Sequence, residues 1–524
     1  MSWDRFKKYS VNVDSLNISL DFSRISFEED FFVSMKEKMD KSFALMKDLE
    51  AGSIANVDEN RMVGHYWLRN AELAPTAELQ EEISSNVTNI KAFAKKIHEG
   101  EIVAENGEKF ENLLCVGIGG SALGPQFVAD ALGSVKADKL KVFFMDNTDP
   151  DGFDVIFDKL EGALSKTLVL IASKSGSTPE PKNAMTEAMN AYKQAGLNFA
   201  KHAVATTGTG SNLYNIAIAE GFLATFPMWD WVGGRTSELA GVGLLPAALQ
   251  GIDIDSFLEG AKLMDIATRK ECMKCNPAAM LALAWYYCTD GKGKKDMVIL
   301  PYKDRLLLAS RYLQQLIMES LGKEFDLDGN VVEQGLSVYG NKGSTDQHAF
   351  VQQLRDGIDN FFVSFIEVLQ DRKGERFEVE NKISSGDYLH AFFLGTREAL
   401  SAKSRENLTI TLPNVSPKSV GALIALYERT TSIYANLINI NAYHQPGVEA
   451  GKKAAGSILE IKQKLIEFLE KNQGEFTADE ISLNLGLEKD TEIVFKLMLH
   501  LASNVARGIK ISQGTGFEQK FTIK

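Results

Sequence analysis

At 524 residues, with 44% apolar and 24% charged side chains, the chain has material for roughly two to four folded domains and lies outside disordered and fibrous compositions. Its 57 Lys and Arg against 70 Asp and Glu leave a net charge of −13. That balance repels nucleic acid and anionic membrane and leaves a small anion, held by a few local donors, as the charged ligand to look for.

From the amino terminus, MSWDRFKKYS lacks the apolar stretch and cleavage site of a secretory signal. The longest apolar runs, among them Thr167 to Ala172 and Phe361 to Leu369, fall far short of the roughly 20 residues that span a bilayer. With only four cysteines, the chain is expected to be cytoplasmic, without a disulfide framework or a membrane segment. The first hundred residues read as mostly helical, one pattern stopping at Gly52. Short β-rich runs then alternate with helical stretches: Leu113 to Ile118, Leu140 to Met145, Thr167 to Ser173 and His202 to Thr207. Alternation of this kind predicts βαβ units and a parallel sheet. A second α/β region is expected from about Asp265 to about Gly456, in which Met297 to Pro301 precedes a long helical pattern ending at Gly322. After Gly456 the composition changes to two or three helices and a small hairpin, an order seen in winged-helix modules. Acidic and basic residues nearly cancel there, which disfavours DNA binding. The divisions fall at 1–105, 106–255, 265–456 and 457–524.

Chemistry concentrates in a few loops. Gly117 to Gly124 follows a strand and opens a helix, fits G-x-G-x-x-A, and has Asp146 near the end of the next strand, so alone it leaves a dinucleotide reading open. The following strand runs into Ser173-Lys174-Ser175-Gly176-Ser177-Thr178-Pro179-Glu180. Thr178 suits an N-cap and Pro179 the first helical position, so hydroxyls and N–H groups converge on the positive end of a helix, as a phosphomonoester requires. A Ser-rich cap with no ligand is the plainer alternative. Arg235 follows two glycines that let backbone approach a ligand; Gln315 and Glu319 share one helix face; His348 follows a polar turn; Pro446 starts a helix carrying Glu449 and Lys452. Cys272-x-x-Cys275 lacks a second pair, and the seven histidines are scattered, so no metal and no cofactor is expected.

Six blocks in order, GIGGSALGP, SKSGSTPE, GGRTSELAGVGLLP, MESLGK, STDQHAF and YHQPGVEAGKK, resemble the glucose-6-phosphate isomerase family from about Leu113 to Lys453. The resemblance implies an α/β fold with two sugar-isomerase (SIS) domains, each with a parallel five-stranded sheet flanked by helices, besides the helical N-terminal region and the winged-helix-like tail. It implies a homodimer with active sites shared between subunits, and reversible aldose–ketose isomerisation of glucose 6-phosphate and fructose 6-phosphate through a cis-enediolate, in glycolysis and gluconeogenesis. Ser173, Lys174, Ser175 and Thr178 would hold the phosphate; Glu319 would be the general base and Arg235 the enediolate's partner. His348, from the partner subunit, and Lys452 would assist ring opening. Gly120, Ser121, Gln315 and Gln445 would contact the sugar, and Glu180 would support the site. The chain departs from the commoner pattern in having Thr236 after Arg235, and its tail has no counterpart in shorter family members. A sugar-phosphate sensor would need the anion loop but not Glu319, His348 and Lys452 together. Another hexose phosphate as preferred substrate is the nearer rival.

Overall fold

The computed structural model describes residues 2–523, apart from the side chains of residues 448, 449, 450 and 452. The chain divides into two compact units, residues 1–444 and 445–524.

In the first unit, a hairpin of β1 (Ser10–Val13) and β2 (Ile18–Asp21) precedes two long helices, Glu29–Glu50 and Ala77–Glu99. The hairpin adds two strands to a region that is otherwise mostly helical, as expected: Val11, Val13, Ile18 and Leu20 alternate with polar residues and are buried, and Asn17 takes the left-handed conformation that the turn needs. The first helix ends just ahead of Gly52, where φ is +93°.

Strands β3 (Asn112–Val116), β4 (Lys141–Met145), β5 (Thr167–Ala172), β6 (Ala203–Thr207) and β7 (Ala224–Pro227) form a parallel sheet ordered β4-β3-β5-β6-β7. β5 is buried along its whole length, as expected where helices cover both faces. In this order the chain reverses direction beside β3, so the crevice at the C-terminal ends of β3 and β5 is the natural ligand position.

The second sheet differs from the expected five parallel strands. β8 (Asp296–Pro301) is followed by a two-stranded ribbon of β9 (Lys323–Phe325) and β10 (Val331–Gln334), then β11 (Val338–Tyr339) and β12 (Phe361–Val368). A small ribbon of β13 (Glu378–Glu380) and β14 (Ile383–Ser384) precedes β15 (Asn407–Leu412). The six-stranded order is β1-β2-β15-β12-β8-β11, in which β15, β12, β8 and β11 are parallel and the N-terminal hairpin adds antiparallel to β15. Residues 1–105 thus complete the second sheet.

The helix Pro417–Leu437, capped by Ser416, is buried almost all round and packs against Ile254–Thr268. Between them lies an ionic cluster. Asp265 accepts from Arg69 at 2.7 Å, Arg429 at 2.7 Å and Arg269 at 2.6 Å; Arg69 also pairs with Glu428, and Arg429 and Arg269 with Glu50. Three arginines face three carboxylates, and the Arg69 and Glu428 side chains have no exposure. Burial pushes the Asp265 carboxyl up, but Arg429, Arg69 and Arg269 outweigh it and hold the group below the usual carboxylate range.

The cysteine expectation is corrected in one respect: Cys272 and Cys275 are joined by a disulfide in the turn between Ile254–Thr268 and Pro277–Thr289, while Cys115 and Cys288 are buried thiols.

The second unit contains helices Pro446–Lys471, Ala478–Leu485 and Thr491–Ser503 and the hairpin of β16 (Ile509–Gln513) and β17 (Lys520–Ile523), around a core that includes Leu465, Ile481, Met498 and Phe521. The boundary expected at 456/457 falls inside its first helix. Among the described residues, no helix is long and apolar enough to cross a membrane.

Candidate active site

Two loops meet at the crevice beside β3 and β5. The first is the glycine loop, where residues 119–121 form a 3₁₀ turn and Leu123–Leu132 the helix beyond. Gly119 has φ +57°, and a Cβ on Gly120 would lie 1.9 Å from the carbonyl oxygen of Gly234. The close approach these glycines permit is therefore to the backbone that carries Arg235. Asp146, which a ribose would need, accepts from Gln126 at 2.8 Å and faces Arg311 at 3.4 Å. Both features that left the dinucleotide reading open thus have packing roles within the protein.

The second loop joins β5 to the helix Pro179–Gln194. Gly176 has φ +69°, and a Cβ there would strike the Leu213 amide at 2.3 Å, so both backbone conformation and space require glycine. Ser173 is buried, and its hydroxyl accepts the Gly176 N–H at 3.1 Å, so it is engaged within the loop. Ser175 and Ser177 are exposed with their hydroxyls 2.8 Å apart. Thr178 occupies the N-cap position without a side-chain cap bond, contrary to the capping expectation, and Pro179 follows in the first turn. Exposed hydroxyls at a helix N-terminus suit an anion. Lys174 turns sideways: Nζ lies 3.3 Å from the carbonyl oxygens of Asp230 and Val232 and 3.3 Å from the Asp230 carboxylate. It ties the serine loop to the segment leading to Arg235. Burial pulls the Lys174 pKa down, with Asp230 opposing. Glu180 Oε2 is buried with no hydrogen-bond partner among the described residues.

Arg235 is the centre of the site. Only 4% exposed, it donates from Nε to Ser320 Oγ at 2.7 Å and from Nη2 to the carbonyl oxygens of Ala442 at 2.6 Å and His444 at 3.3 Å. Its Nη1 lies 3.4 Å from Glu319 Oε2. Burial lowers the guanidinium's pKa and Glu319 opposes that fall. Glu319, whose side chain keeps 20% exposure, also accepts from Gln315 Nε2 at 3.2 Å, and Gln315 reaches Gly119. The expected long helix is broken here into a 3₁₀ turn at Asp304–Leu306, an α turn at Ala309–Leu313 and a π-helix at Gln314–Glu319. A π segment widens the turn, a feature frequent at functional sites. Gln315 and Glu319 thus share a face as expected, but on a wider turn.

His348 is exposed on the 3₁₀ turn Thr345–His348. Gln445 precedes the first helix of the second unit. The Lys452 side chain lies outside the described residues. Two residues that sequence reasoning passed over belong to the site: Ser320, which holds Arg235, and buried Lys323. The signal for Lys323 was a lysine placed directly after a helix-stopping Gly322. Among the described residues, no three His, Cys, Asp or Glu side chains gather as metal ligands.

A sequence model of the family described as Phosphoglucose isomerase matches residues 21–472. A glucose-6-phosphate isomerase of Geotalea daltonii is 57% identical over 521 residues, covering 99% of this chain and 98% of its own, and one of Trichormus variabilis is 56% identical over 514 residues, covering 98% and 97%. The crystal structure of a glucose-6-phosphate isomerase from Chlamydia trachomatis superposes with a TM-score of 0.79 at 25% identity, covering 88% of this chain and 92% of that one. The tail that the family model leaves out is therefore shared by full-length relatives.

Proposed function

The chain belongs to the phosphoglucose isomerase family, and from that premise we propose that it interconverts glucose 6-phosphate and fructose 6-phosphate through a cis-enediolate. The observation that carries the reading is the juxtaposition of a partly exposed carboxylate, Glu319, with a buried guanidinium, Arg235, 3.4 Å away. Glu319 takes the C2 proton of the open-chain aldose, negative charge develops on the enediolate oxygens beside Arg235, and the same carboxylate returns the proton to C1. Ser320 and two backbone carbonyls already fix Arg235, so little reorganisation is needed as that charge appears.

Ser173, Ser175 and Thr178, with the first turn of the helix Pro179–Gln194, take the phosphate, Ser173 through the O–H that its bond from Gly176 leaves to donate; Lys174 contributes locally and tethers the loop. Gly120, Ser121, Gln315 and Gln445 contact the sugar, and Glu180 supports the loop. His348, supplied by the partner subunit of a homodimer, and Lys452 assist ring opening. The exposure of His348 on its own chain is compatible with that assignment. No cofactor or metal is required, the setting is cytoplasmic glycolysis and gluconeogenesis, and nucleic acid and membrane are not partners. The chain is organised as a helical N-terminal region, two SIS domains and a winged-helix-like tail.

The test is a coupled assay on purified protein with EDTA present, comparing glucose, mannose and other hexose 6-phosphates with fructose 6-phosphate. Glucose 6-phosphate turnover that survives EDTA is the expected result; turnover abolished by the chelator, or confined to another epimer, overturns the reading. In the same assay Ser175→Ala and Thr178→Ala are each expected to raise KM by about 10-fold or more, the cost of one hydrogen bond to a charged oxygen. The kcat should change much less. A KM within twofold of the parent in both variants would place the phosphate elsewhere.

A further inference from the structure

Lys323 opens β9 directly after the segment that carries Glu319 and Ser320. It is 5% exposed, and its Nζ donates to the carbonyl oxygens of Glu319 and Ser320, both at 2.8 Å. Those are C-terminal carbonyls that the segment itself cannot satisfy, so the ammonium caps the end of the π-helix. Arg235 grips the same two residues from the other side, through Ser320 Oγ and the Glu319 carboxylate.

We propose that Lys323 is a positioning residue for the isomerase reaction, fixing the turn that presents Glu319. This deepens the preceding reading and rests on Glu319 being the base. The charged and titratable groups facing Lys323 are Arg235, Glu319 and Asp58; His444 in turn feels the Lys323 charge. Asp58 is itself engaged by Asn441 at 2.6 Å and lies 3.7 Å from His444. Burial and then Arg235 bring the Lys323 pKa down to about 7, against the pull of Glu319 and Asp58.

Three variants test the tether. Lys323→Met removes it and is expected to lower kcat by about 10- to 100-fold, the scale of a small misplacement of a reacting group. KM should change little. Lys323→Gln and Lys323→Arg can still donate to a carbonyl, so each should recover much of kcat. Melting temperatures measured alongside identify a purely structural role, in which kcat would follow thermal stability across the three variants. A kcat within twofold of the parent in Lys323→Met overturns the inference, as does a loss that neither Lys323→Gln nor Lys323→Arg recovers at parental melting temperature. Glu319→Gln is measured in parallel. If it is inactive while Lys323→Met keeps parental kcat, only the present inference falls; if it keeps parental turnover, the base assignment falls first.

Discussion

Replacing Glu319 by glutamine is expected to lower kcat by about 10²- to 10⁴-fold, the usual contribution of a positioned base, while KM stays within a few-fold of the parent. The amide has the shape of the carboxylate and retains an oxygen that can accept from Gln315, now 3.2 Å from the carboxylate. What it cannot do is take a proton from carbon. Arg235 loses the carboxylate at 3.4 Å but keeps Ser320 Oγ and the carbonyl oxygens of Ala442 and His444, so the oxyanion partner remains in place. The most direct readout is exchange of the substrate C2 proton with deuterated solvent, followed by NMR. Exchange should disappear together with turnover, because both need the same base. A variant that isomerises at close to the parental rate would remove Glu319 from the mechanism. One that still exchanges without isomerising would show that another group takes the C2 proton, and would move the role of Glu319 to a later step.

The parts of the fold that could be read from sequence are those fixed by local pattern. β5 is a continuous apolar run bounded by a serine-glycine loop, and the structure starts and ends it within a residue of that run. Gly52 and Pro179 mark helix limits through their own backbone preferences. The hairpin of β1 and β2 was equally local, with Val11, Val13, Ile18 and Leu20 in period two, but a strand pair of four residues each is a weak signal beside two long helices. Its place at the edge of the second sheet, against β15 almost 390 residues later, depends on chain topology alone. The candidate residues divide in the same way. Glu319 and Gln315 share a face by helical spacing, whereas the π-helix that carries them cannot be told from an α-helix over six residues. Its end is held from outside, by Arg235 and Lys323. Ser173 reads as a phosphate hydroxyl because of its neighbours in sequence, and what the sequence does not show is that the turn also uses it, as the acceptor of the Gly176 N–H. Asp265 carried no signal at all, since a lone aspartate in an amphipathic helix is normally solvated and only the fold places three arginines around it.

Asp265→Asn is expected to destabilise the first unit by about 3–5 kcal/mol, the cost of removing one member of a buried ion cluster. The amide nearly preserves the shape, so the loss is electrostatic. Three arginines would then face only Glu428 and Glu50, leaving one buried positive charge without a counter-charge. Asp4 provides the contrast. Its pair with Lys7 at 2.8 Å is largely exposed, with 90% of the aspartate side chain accessible, so Asp4→Asn should change stability by less than about 0.5 kcal/mol. Urea unfolding followed by the fluorescence of the buried Trp67 and Trp285 measures both. The pH dependence identifies the mechanism. The folded carboxyl of Asp265 lies below its unfolded value of about 3.9, so the unfolded state binds more protons as the solution is acidified. The stabilisation from Asp265 is therefore fully present above that value and is lost progressively as pH falls below it. The gap in urea midpoint between parent and Asp265→Asn should be widest above pH 5 and should narrow as pH falls below 4. A gap that stays constant across that range would mean that the asparagine disturbs packing, and would assign the cluster no electrostatic role in joining the N-terminal region to the helices Ile254–Thr268 and Pro417–Leu437.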